Sequence, residues 1–130
     1  MTGDETAKRG LAVRTEVLGA AHVERAQARS TPFDADFQAY ITRNVWGEIW
    51  GRPGLERRTR SLLTIALLAA LGREEELGLH LRAIANTGVT RDEVKEVLLQ
   101  VGAYAGVPAA NSAFRLAREV FAEQDGEALR

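Results

Sequence analysis

Cysteine is absent from this 130-residue chain, which removes disulfides, thiol redox catalysis and thiolate metal sites at once. An excess of charge of one sign is also missing. The 17 basic and 18 acidic residues leave a formal net charge of −1, so no polyanion-binding surface is expected and nucleic acid is not an expected partner. No stretch is long and apolar enough to span a bilayer: residues 62–71 form the longest apolar run, about half of the roughly 20 residues required. Residues 1–9 are polar and no apolar signal core follows them, so a soluble cytoplasmic protein is the expectation. Strand patterns, internal repeats and low-complexity tracts are lacking. Imidazoles are scarce: His22 and His80 are the two, without the His-Glu-x-x-His spacing of a metal site, and no metal is expected.

What is present is an ordinary globular balance, 45% hydrophobic and 27% charged, which argues against intrinsic disorder. A chain of this length buries about two-thirds of the surface its unfolded form exposes. The patterning predicts an all-α, single-domain bundle of about six helices over residues 11–130, behind a flexible N-terminal tail at 1–10. Residues 11–29 are rich in helix formers, with a possible break at Gly19. Thr31 and Pro32 suit a helix cap and first position, and Phe33, Phe37, Tyr40 and Ile41 recur at helical spacing as one expected buried face. From Trp46 to Gly54 three glycines and a proline break the periodicity, which predicts a loop.

A helix over 55–71 should stop at Gly72. Being apolar nearly all round, it is expected to be the central buried helix. In so small a domain an interface between subunits is another place to hide it, which predicts a homo-oligomer. Residues 73–86 put Leu77, Leu81 and Ile84 on one stripe and end at Gly88. Thr90 and Glu93 form a capping box for the next helix, with Val94, Val97, Leu98 and Val101 inward. Gly106 and Pro108 then separate it from a last helix carrying Ala110, Phe114, Ala117 and Phe121 on its inner face.

Few residues here can carry chemistry, and each has two readings. Glu76 lies one helical turn before His80, where side chains meet. A carboxylate beside an imidazole favours its protonated form, which would make His80 a general acid near neutral pH; otherwise the two are a plain pair on a half-exposed face. His22 reads alone as a structural or surface residue. Trp46 and Trp50 either line a pocket for an anionic small molecule or plug the core. Arg57, Arg58 and Arg60 form the largest basic cluster. They either solvate a face or supply one or two ligands to a carboxylate. Asn111 and Ser112 either present polar groups to a cavity or bond locally.

Four segments in order carry a resemblance: Gly-Glu-Ile-Trp-Gly-Arg-Pro-Gly-Leu-Glu-Arg-Arg-Thr-Arg-Ser-Leu (47–62), Ala-Leu-Gly-Arg-Glu-Glu-Glu-Leu-Gly-Leu-His (70–80), Gly-Val-Thr-Arg-Asp-Glu-Val-Lys-Glu-Val-Leu-Leu (88–99) and Gly-Val-Pro-Ala-Ala-Asn (106–111). Together with Ala21, His22 and Val23 they strongly resemble the carboxymuconolactone decarboxylase family, over nearly all the chain past the tail. The resemblance implies the all-helical alkyl hydroperoxidase D-like fold, assembled as trimers or hexamers. Peroxidases of that superfamily carry Cys-x-x-Cys-x-x-x-His, and the matching positions here are Arg73, Glu76 and His80. Their relay glutamate falls near Ser61. The histidine is kept and both thiols are gone, so disulfide reductase chemistry is excluded.

The activity implied is decarboxylation of 4-carboxymuconolactone to 3-oxoadipate enol-lactone, in the protocatechuate branch of the β-ketoadipate pathway. Such a substrate accepts its own electrons into the conjugated lactone carbonyl, so no cofactor is implied. The expected site has His80 as proton donor or oxyanion stabiliser, tuned by Glu76. One or more of Arg57, Arg58 and Arg60 would hold a carboxylate, His22 would add a polar contact, and Trp46 or Trp50 would offer an apolar surface to the departing group. Two rivals stand beside it: a decarboxylase of a related lactone, and a non-catalytic helical oligomer that binds small aromatic or lactone acids.

Overall fold

Thr2 begins the described part of this computed structural model, which covers residues 2–126. Its hydroxyl accepts the Glu5 N–H at 3.1 Å and caps helix α1 (Gly3–Leu18), with Asp4 and Glu5 in the first turn, where acidic groups suit the positive end of the helix dipole. The residues expected as a tail are therefore helical from Gly3, and Thr6 and Gly10 are buried. Gly19, at φ 93°, ends α1 and starts α2 (Ala20–Arg29). A turn over residues 32–34 follows, with Asp34 accepting the Thr31 N–H at 2.8 Å. Helix α3 (Ala35–Tyr40) then begins three residues past the expected Pro32 start.

At Ile41 the helix widens rather than ends. Residues Ile41–Trp50 form a π-helix, in which the hydrogen bond reaches one residue further than in an α-helix. The expected loop is thereby shortened to residues 51–56. The widened turn explains the lost periodicity: Gly47 is not a breaker but a point of close approach. A methyl on Gly47 would lie 2.6 Å from the Thr6 carbonyl oxygen, and one on Gly10 would run into the Thr42 carbonyl. Two glycines thus let α1 and the π-helix meet backbone to backbone. Arg9 donates to the Gly47 carbonyl at 2.7 and 3.2 Å, satisfying an acceptor near the π-helix end.

The aromatic face expected to be buried in this region is instead outward. Phe33 is 98% exposed, and Phe37 and Tyr40 are also exposed; the inward contact of the region is made by Trp46, Gly47 and Trp50.

The chain divides into two compact units, Met1–Arg57 and Arg58–Arg130. The second holds α4 (Arg57–Leu71) past its first residue, α5 (Glu74–Arg82), α6 (Ile84–Thr87), α7 (Arg91–Ala105) and α8 (Val107–Gln124). Helix α4 buries one stripe only, Ser61, Ile65 and Ala69, and leaves Leu63, Leu67 and Leu71 exposed. It is not buried all round. Gly72 stops it as expected, at φ 72°.

The helix expected over 73–86 breaks at Ala83, whose N–H turns back to the His80 carbonyl at 3.2 Å, and restarts as α6. Leu77, Leu81 and Ile84 are buried as the stripe predicts. Both arms of the Thr90–Glu93 capping box are made. Val94, Leu98 and Val101 meet Ala113, Ala117 and Val120 in the core, with Phe114 and Phe121 packed against it. Among the described residues the chain is all-α, with eight α-helices and one π-helix where about six helices are expected. The extra elements come from the breaks at Gly19 and Ala83 and the change of helix type at Ile41. No helix among these residues is long and apolar enough to cross a membrane.

Candidate active site

The expected site residues fall in both units. His22, Trp46, Trp50 and Arg57 belong to the first, and Arg58, Arg60, Glu76 and His80 to the second. In the second unit, His80 lies in the last turn of α5, between the core residues Leu77 and Leu81, and is only 9% exposed. Glu76, one turn earlier, is exposed.

The three arginines are sorted by their partners. Arg57 pairs with Glu16 at 2.5 Å, and Arg58 pairs with Glu93. Glu93 also accepts the Thr90 N–H at 2.9 Å, so the Arg58 partner is held in place by the helix cap. Arg60 differs. Its Nε is buried and has no hydrogen-bond partner among the described residues. A buried donor left unsatisfied costs roughly 1–3 kcal/mol, and a carboxylate ligand is a natural way to recover that cost.

Next to Arg60, Ser61 is buried and accepts the Thr87 hydroxyl proton at 3.0 Å, while the same hydroxyl lies 3.2 Å from the Ile84 carbonyl. This hydroxyl pair ties α4 to α6 just beyond α5. Sequence reasoning reached Ser61 only as the position of a missing glutamate and did not single out Thr87. A threonine directly before a helix-ending glycine gives no sign of a partner 26 residues away.

In the first unit, Trp46 and Trp50 are buried on one side of the π-helix and stack at 5.1 Å between ring centroids and 30° between planes. They are not loop residues. His22 is half-buried on α2. Burial first, then the charges of Arg14, Arg25 and Arg29, hold its pKa below the ordinary histidine value. It is therefore a neutral donor or acceptor at neutral pH, suited to a polar contact rather than to charge pairing. Asn111 is exposed at the start of α8.

A buried imidazole and a guanidinium with a buried, unbonded Nε thus lie on helices of one unit, in a chain without a thiol. The chain belongs to the carboxymuconolactone decarboxylase family, whose profile matches residues 35–119.

The chain is 56% identical, over 121 residues, to a 4-carboxymuconolactone decarboxylase of Acinetobacter baylyi, covering 93% of this chain and 90% of that one. It is 44% identical over 111 residues to the nitrosuccinic acid decarboxylase npaB of Metarhizium robertsii, 82% of this chain and 78% of the other. An uncharacterized 15.0 kDa protein of Paracoccus denitrificans is 35% identical over 86 residues, 64% of each chain.

Proposed function

We propose that this chain decarboxylates 4-carboxymuconolactone to 3-oxoadipate enol-lactone, without a cofactor, in the protocatechuate branch of aromatic catabolism. The observation that carries the reading is the presence on one unit of a buried imidazole, His80, and a buried Arg60 Nε without an acceptor. The near full-length similarity to the Acinetobacter baylyi enzyme supports the choice of substrate.

The electron flow asks little of the protein. As the ring carboxylate leaves as carbon dioxide, its bonding pair moves through the conjugated alkene into the lactone carbonyl. The resulting dienolate takes a proton on the carbon next to that carbonyl. Arg60 holds a substrate carboxylate by charge-assisted hydrogen bonds. His80, tuned by Glu76, supplies the proton or stabilises the oxyanion. On the other unit, neutral His22 offers a polar contact and Trp46 and Trp50 an apolar, poorly solvating surface. Arg57 and Arg58 serve binding only if they leave Glu16 and Glu93. The exposed pair Arg57–Glu16 is worth at most about 1 kcal/mol, so its exchange for a substrate carboxylate is easy.

The reading includes a cytoplasmic enzyme working as a homo-oligomer, a trimer or hexamer. The exposed Leu63, Leu67 and Leu71 stripe supports subunit contact, since a monomer rarely leaves such a patch to water. A second reading, decarboxylation of a related carboxylated substrate, is supported by the relative named for nitrosuccinic acid.

An ultraviolet assay of 4-carboxymuconolactone with purified protein and a chelator tests the proposal. Consumption with one carbon dioxide released per lactone is expected. Binding without turnover would point to the non-catalytic oligomer, and turnover of other acids alone to the second reading.

A further inference from the structure

We propose that the first unit carries an additional binding site, a cationic cleft between α1, α2 and the α3–π-helix segment that takes a small organic dicarboxylate. The cleft has a volume of about 510 Å³, within the usual range for small-molecule sites. Three cations line it: Lys8 and Arg14 from α1 and Arg43 from the π-helix. No carboxylate among the described residues lines it, in a chain whose net charge is −1.

Arg14 is the central cation of the cleft. Its Nε is buried and has no hydrogen-bond partner among the described residues. Five other arginines find carboxylates: Arg57, Arg58, Arg82, Arg91 and Arg115 are ion-paired. A guanidinium kept partly from water beside two further cations is costly unless an anion joins it. Burial also lowers the Arg14 pKa, a penalty on the charged form that a bound anion would relieve.

The walls narrow the ligand class. Ala7, Leu11, Ala26 and Ala39 are apolar, and Gln27 and Gln38 add amide donors. A bare inorganic anion has nothing to bury against the apolar wall. A short carbon chain has, and a carboxylate at each end matches cations on both sides of the cleft. Asp34, near the Ser30 edge, does not fill the role, because its carboxylate accepts the Thr31 N–H at 2.8 Å and lies 3.4 Å from the Ser30 hydroxyl. The inference goes beyond the decarboxylase reading and does not need it.

Amide NMR titrations of the full chain at constant ionic strength test it, with succinate, butyrate and inorganic phosphate as probes. Succinate should shift the Leu11 and Ala39 amides saturably, and butyrate should bind more weakly. Arg14→Gln and Arg43→Gln should each weaken succinate about tenfold or more, the effect of losing one charge-assisted hydrogen bond. Unchanged affinity in both variants overturns the site, as does a response confined to amides around His80. Phosphate binding as tightly as succinate overturns the organic ligand. If Arg14→Gln does not fold, the exposed Arg43 decides alone.

Discussion

Three arginines within four positions, Arg57, Arg58 and Arg60, meet different fates although the sequence presents them alike. The first two have carboxylate partners, and the third keeps a buried Nε without one. Arg60→Ala is therefore expected to raise KM by about tenfold or more with kcat little changed, because it removes a binding contact shared by ground and transition states. Arg57→Ala, which breaks an exposed pair, should do much less; equal effects in steady-state kinetics would remove the special role of Arg60. At His80 the expected change lies in kcat. His80→Gln keeps a hydrogen-bonding side chain of similar size but cannot deliver a proton, so turnover should fall about 10²-fold or more while the melting temperature holds. Near-normal kcat would take the proton donor elsewhere.

At the scale of elements, the π-helix does most to shape the first unit. It brings Trp46 and Trp50 to one side and sets Gly47 against α1. The contact tolerates no side chain at Gly10, where an added methyl would strike the Thr42 carbonyl and lie 2.9 Å from the Gly47 nitrogen. Gly10→Ala should destabilise the protein by about 1–3 kcal/mol or more, although alanine is the better helix former. Gly3→Ala, with nothing within 4 Å, should be neutral or slightly stabilising. Urea unfolding of the two variants separates packing from propensity, and equal stabilities would show that α1 and the π-helix do not meet closely in solution.

For the whole molecule, the apolar surface left open is the informative feature. Leu63, Leu67 and Leu71 line one side of α4, and Tyr104 and Val107 are among the other large apolar residues left to water. A groove of about 610 Å³ runs between α4 and α7, with Leu63, Leu67, Val97 and Tyr104 in its lining; its lining includes none of the expected catalytic residues. Burying such a surface between copies of the chain contributes about 25 cal/mol per Å² of apolar area. Leu67→Glu should then reduce the mass seen by sedimentation velocity without unfolding the chain, since Leu67 is exposed within it. An unchanged mass would show that this face is not a subunit contact.

By itself the sequence determined whatever depends on neighbours a few residues apart. The all-α class, the stops at Gly72 and Gly88, the Thr90–Glu93 capping box and the core stripes of α5 and α7 all follow from hydrogen bonds and side-chain spacing within a turn or two. Family membership was legible for a similar reason, because its motifs are contiguous runs. The tertiary structure decided what depends on distant partners. Arg9 reaches the Gly47 carbonyl across 38 positions, and Arg57 reaches Glu16 across 41. Such contacts recruit the expected tail into α1 and, with Arg58 on Glu93, engage two arginines of three alike. The expected aromatic face at Phe33, Phe37 and Tyr40 turned outward because helical spacing marks which residues share a side, and only packing decides which side is covered.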